Sequence, residues 1–127
     1  MPHYTCNIDW EATPLRAVWN HTVGSGRAAL AMRADWREQM ACTRHDLGIR
    51  HVRFHGILCD EMATFLIEDG KEIHSFSNAH QIFDFLLGIG MRPFVELSFM
   101  PTALSSGAAT VFRYHANVTP PKDLRKW

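Results

Sequence analysis

Two tight returns constrain the fold of this chain more than any other feature. Leu47-Gly48-Ile49 and Gly88-Ile89-Gly90-Met91 each carry a helical pattern almost directly into an extended one. The connections that leave the extended stretches are long by comparison. Strands that alternate with helices in this way are parallel, with the helices as crossovers. Short returns and long departures are the asymmetry of a (β/α)8 barrel, whose long loops after the strands form the active-site face. A whole barrel takes about 250 residues, and this chain has 127. The expected fold class is therefore α/β: a partial (β/α)8 TIM barrel of the first three βα units or so, with a small hairpin in the loop after strand two.

The elements follow in order. Trp19 to Val23 reads as a short first strand, and Gly24-Ser25-Gly26-Arg27 as a glycine turn. That turn lacks the Lys-Ser/Thr of a phosphate loop and the third glycine of a dinucleotide fingerprint. Asp35 to Leu47 is helical, with Trp36, Met40, Thr43 and Leu47 at helical spacing, Asp35 as a cap and Gly48 as the stop. Ile49 to Phe54 is the second strand, with Val52 and Phe54 on one face and His51, Arg53 and His55 on the other. Asp69-Gly70 is a strong turn signal between Thr64–Ile67 and Ile73–Phe76. Asn78 to Leu87 is a second helix, with Ile82, Phe83, Phe85 and Leu86 as its apolar face and Ser77 or Asn78 as its cap. Met91 to Ser98 reads as a buried third strand in which Val95 and Leu97 alternate with Glu96 and Ser98. Pro120 to Trp127 reads as the start of a further helix, and Trp10 as a cover for the core.

Composition excludes some function classes. With 13 basic and 13 acidic residues the formal net charge is zero, so no basic field is available for a nucleic-acid backbone. No apolar run approaches the roughly 20 residues of a membrane span, and no secretory leader is visible, so the expected location is cytoplasmic. Cys6, Cys42 and Cys59 are odd in number and widely spaced, which reads as free thiols rather than disulfides or a metal site. No cofactor or metal is expected.

On the barrel reading Val52, Phe54, Val95 and Leu97 face the helices, while Arg53, His55, Glu96 and Ser98 face inward near the mouth. A buried Arg53 needs a carboxylate, and Glu96 on the neighbouring strand is the expected partner. The adjacent Asp60-Glu61 could do acid/base work, but neighbours in sequence usually point apart, so ordering the loop is the stronger reading. His55 alone is either a structural histidine or a ligand. Trp36 and Phe83 are expected to pack the helices against the strands.

Four stretches make the reading more specific. Val23-Gly24-Ser25-Gly26-Arg27, Val52 to Asp60 (VRFHGILCD), Met91 to Pro101 (MRPFVELSFMP), and Thr110-Val111-Phe112 with Asn117 to Asp123 (NVTPPKD) resemble the amino-terminal part of glycoside hydrolase family 39. That family holds β-xylosidases and α-L-iduronidases, and the resemblance is closer to the former. It implies a barrel and retaining hydrolysis by two glutamates about 5–5.5 Å apart. One lies in an Asn-Glu-Pro motif ending the fourth strand, the other ends the seventh; the chain has no Asn-Glu dipeptide, so neither is expected within it. The resemblance makes His55 a ligand for a sugar hydroxyl in the −1 subsite and Phe112 an apolar wall, with Glu96 and Phe99 supporting the floor.

Residues 1–127 are then the amino-terminal part of a single glycoside hydrolase barrel domain, truncated at the start of a helix. The expected partner is a β-xyloside or short xylo-oligosaccharide. The other class open to such a chain is a non-catalytic sugar-binding or interaction fragment, or an inactive remnant. A part-barrel with an open parallel edge is expected to self-associate as a homo-oligomer.

Overall fold

A computed structural model describes residues 1–127. At its centre is a parallel three-stranded sheet in the order β1-β2-β5, formed by β1 (Thr22–Arg27), β2 (His51–His55) and β5 (Arg92–Val95). Helices α1 (Ala34–Leu47) and α2 (Ser77–Gly88) make the crossovers. An antiparallel pair, β3 (Phe65–Glu68) and β4 (Lys71–His74), lies between β2 and α2. Its turn places Asp69 at φ 50° and Gly70 at φ 74°, the doubly left-handed geometry that Asp-Gly favours. A second small pair, β6 (Thr110–Val111) and β7 (Ala116–Asn117), stands in the long segment after β5.

The core lies on one side of the sheet. Val52 and Phe54 of β2 are fully enclosed with Met40 of α1, Ile82 and Leu86 of α2, and Met62 and Met91. Each such side chain stabilises the fold by roughly 1.5–3 kcal/mol through burial. Trp36 and Phe83 pack against this cluster, and the Trp36 indole N–H donates to Ser25 Oγ at 2.6 Å. Gly48 ends α1 in the left-handed conformation, its N–H bonded to the Arg44 carbonyl.

Several sequence expectations are corrected. The first strand does not stop at Val23: it runs through the glycines to Arg27, with a register slip between Gly24 and Arg27. Glycine within a strand marks a bulge as readily as a turn. Trp19 and Asn20 belong to a short 3-10 turn instead. Neither helix has a side-chain cap: Asp35 pairs with Arg33, and the Asn78 amide donates to the Met62 carbonyl at 3.2 Å. The third strand is shorter than expected and is not buried. It lies at the sheet edge, paired only to β2, with Phe94, Val95 and Leu97 exposed. The last residues form turns, not a helix start, and Ser105 bridges Pro121. Trp10 is 73% exposed and covers nothing.

Candidate functional site

The carboxyl ends of the three parallel strands deliver Arg27, His55 and, just past β5, Glu96, Ser98 and Phe99 to one end of the sheet. This is where open and closed α/β sheets place ligands. Two hydrogen bonds hold the strand ends together. The Ser98 hydroxyl accepts from the Gly56 N–H at 3.1 Å, and its carbonyl accepts from the Leu58 N–H at 2.9 Å. Gly56 sits at φ 76°, and a Cβ there would stand 3.1 Å from Cys59 Sγ. The chain can therefore turn away from His55 only with glycine at this position.

The β6–β7 loop supplies the opposite wall. Phe112 lies parallel to the His55 ring, centroids 5.3 Å apart and planes 13° from parallel. Tyr114 is parallel to both, 6.0 Å from His55 and 5.3 Å from Phe112. Phe99 meets His55 edge-on at 5.7 Å and Phe112 at 5.9 Å. The hairpin is pinned by Asn117, which is buried. Its backbone carbonyl accepts from the Met100 N–H at 3.1 Å, and its amide donates to the Gly107 carbonyl at 2.8 Å.

Charge closes the far side. The Arg27 guanidinium lies 4.5 Å from the centre of the Tyr114 ring, a cation–π contact, and 2.9 Å from Glu61. The Arg27 Nε has no aligned acceptor, so its contact with Glu61 is an ion pair rather than a directed hydrogen bond. The Tyr114 hydroxyl is buried with no protein partner. Burial raises the Tyr114 pKa, nearby Cys59 and Glu61 add to the rise, and Arg27 opposes it. Burial likewise raises the pKa of Cys59. Asp60 accepts from the Thr102 N–H at 2.9 Å, so the Asp60-Glu61 pair orders loops and splits its two carboxylates between different tasks.

The sequence-derived residues thus divide. His55, Phe99 and Phe112 meet in one aromatic cluster. Glu96 is engaged elsewhere, 2.6 Å from Arg53. The expected pair is present on the sheet face away from the helices, but it is not buried: the Arg53 side chain is 57% exposed, so the pair is worth at most about 1 kcal/mol. Tyr114 and Arg27 were not foreseen. The one hint for Tyr114 is its place two residues after Phe112; nothing local marks Arg27, whose role depends on the bulge.

Comparisons with known proteins place the chain in a family. The model of the glycosyl hydrolases family 39 matches residues 5–127. A β-xylosidase of Caldicellulosiruptor saccharolyticus is 48% identical over 124 residues, covering 97% of this chain and 25% of the relative. A β-xylosidase of Geobacillus stearothermophilus is 40% identical over 113 residues, covering 86% of this chain and 22% of the relative. The structure of a GH39 β-xylosidase from Caulobacter crescentus superposes with a TM-score of 0.79 at 32% identity, over 91% of this chain and 26% of that one. The chain spans about a quarter of the length of these relatives. By its sequence, and by a mixed α/β fold shared with these enzymes, the chain belongs to glycosyl hydrolase family 39.

Proposed function

We propose that this chain is the amino-terminal part of a retaining β-xylosidase, comprising the first three βα units or so of a (β/α)8 barrel. It supplies one wall of the sugar pocket. The observation that carries the reading is the cluster of His55, Phe99 and Phe112 at the carboxyl ends of parallel strands. Aromatic faces pack against the apolar C–H faces of a pyranose, and one imidazole nitrogen gives a hydroxyl a directed hydrogen-bond partner. Glu96 takes the supporting role: it fixes Arg53 and stands beside the cluster rather than within it.

Both catalytic glutamates of the two-carboxylate mechanism lie outside these residues on this reading, so the chain alone binds the sugar and does not cleave it. The test is a titration of the chain with xylose, followed by the NMR signals of its histidine ring protons. The His55 resonances are expected to move, and His55→Ala to remove the change. Turnover of an aryl β-xyloside by the chain alone would overturn the assignment of both glutamates to other segments. Xylose shifts that leave His55 untouched would overturn the pocket.

A further inference from the structure

A second site stands at the opposite end of the sheet, and nothing in the glycosidase reading uses it. Arg44, Arg50, His51, Gly90 and Arg92 line a cavity of about 290 Å³ with no apolar side chain in its wall. It opens at the amino end of β2, about 13 Å of strand from His55. Three arginines line it in a chain of zero net charge, and none of them takes part in any of the chain's ion pairs; Arg50 Nη2 donates to Asn20 Oδ1 at 3.4 Å.

The framework around the arginines is fixed. Arg44 Nη1 donates to the Gly48 carbonyl at 3.2 Å, which leaves the rest of its fork unused. Arg50 immediately precedes β2 and Arg92 begins β5, and the two are joined by the Arg92 N–H to the Arg50 carbonyl at 2.9 Å. Gly90, at φ 74°, keeps the floor open: a Cβ there would stand 3.6 Å from Arg44 Nε. The His51 ring is set by a 2.9 Å contact between Nδ1 and the His21 carbonyl, and it stacks on His21 at 4.8 Å. A carbonyl only accepts, so Nδ1 carries the proton.

Helix ends attract cations, and Arg44, in the last turn of α1, serves that purpose. Arg50, just ahead of β2, and Arg92, the first residue of β5, lie outside both helices, so the same account does not cover them. Like charges held together without a counter-charge repel, and a bound anion removes that cost. Planar guanidinium forks match tetrahedral oxyanions in two-point contacts, which a lysine cannot reproduce. We propose that this cavity is a binding site for a phosphate-class oxyanion, free or carried on a small metabolite.

The test is calorimetric titration of the chain with inorganic phosphate, pyrophosphate and glucose 6-phosphate at low and at physiological ionic strength. Pyrophosphate is expected to bind more tightly than phosphate. The Arg50→Ala/Arg92→Ala variant is expected to weaken binding about tenfold or more, since two guanidinium forks are withdrawn from the anion. Arg50→Lys/Arg92→Lys should recover part of the loss, and Arg16→Ala, outside the cavity, should change nothing. Tighter binding of glucose 6-phosphate than of phosphate would assign a phosphorylated metabolite, and equal binding a free anion. Phosphorus NMR line broadening by the unmodified chain gives a second measure that needs no variant. No broadening at low salt, binding undiminished in the alanine variant, or full recovery with lysine would each overturn the site.

Discussion

His55 and Phe112 are stacked, centroids 5.3 Å apart, although one ends a central strand and the other sits in a hairpin loop at φ 59°. Phe112 therefore combines a favourable ring contact with an unfavourable backbone. An aromatic pair contributes about 0.5–1.5 kcal/mol beyond burial, and a non-glycine residue in the left-handed region costs roughly 1–2 kcal/mol. Phe112→Ala loses the ring and keeps the strain; Phe112→Gly loses both. The expected order of thermal stability is Gly above Ala, with both weakened in xylose binding. Melting curves and a sugar titration of the two variants check it.

The Tyr114 phenol is held protonated chiefly by burial, against the pull of the Arg27 charge. Arg27→Met removes that pull, so the phenol is expected to titrate at still higher pH. The tyrosinate absorbance shows the shift directly. The sign for stability follows. A folded-state value raised above the unfolded one leaves stability intact below the ordinary tyrosine range and erodes it as pH climbs through the raised value. A shift of the titration to lower pH in the variant would mean that Arg27 does not act on Tyr114 by charge.

Gly48 and Gly56 both occupy left-handed backbone, but only one is crowded. A Cβ on Gly48 meets nothing within 4 Å, whereas on Gly56 it meets Cys59 Sγ at 3.1 Å. Gly48→Ala is expected to cost on the order of 1 kcal/mol through conformation alone. Gly56→Ala should cost more and should also disturb the Ser98 contact that seats His55. Denaturant unfolding of both variants measures the difference, and equal losses would show that the crowding is relieved by a small movement of Cys59.

β5 is an edge strand, with Phe94 52% exposed. An open, apolar parallel edge is a template for further pairing. The chain is expected to self-associate with rising concentration, and Phe94→Lys to shift it toward monomer while costing no more than about 1 kcal/mol of stability. Sedimentation velocity across a concentration series shows either result. A monodisperse monomer at all concentrations would remove the edge as a driver.

Where the chain's signal is local, the sequence shows it. Gly48 stops a helix because only glycine turns that corner cheaply, and Val52 and Phe54 alternate with polar neighbours because a strand has two faces. His55 and Phe112 were legible through the motifs around them. The larger misses are non-local. Tyr114 and Arg27 meet only after the β6–β7 hairpin folds back over β1, which no spacing records. Val95 and Leu97 carry the pattern of a buried strand, yet are exposed because β5 lies at the edge of the sheet, which alternation along the strand does not record. The terminal prolines permit a helix start as well as a turn, and tertiary bonding chose the turn.

The slip in β1 has one further consequence. Gly24 stands opposite Arg53 and Arg27 opposite His55, so three steps along one strand match two along the other. Arg53 and His55 share a face; counted by simple alternation, Arg27 would fall on the other one, among the core side chains beneath the helices. The bulge changes odd to even. It transfers a guanidinium from the apolar side of the sheet to the face that carries His55, where it meets the Tyr114 ring. A deletion of one residue between Gly24 and Arg27 would therefore act as a reversal of sides, not as a shortening, and would exchange a charge beside His55 for a buried one.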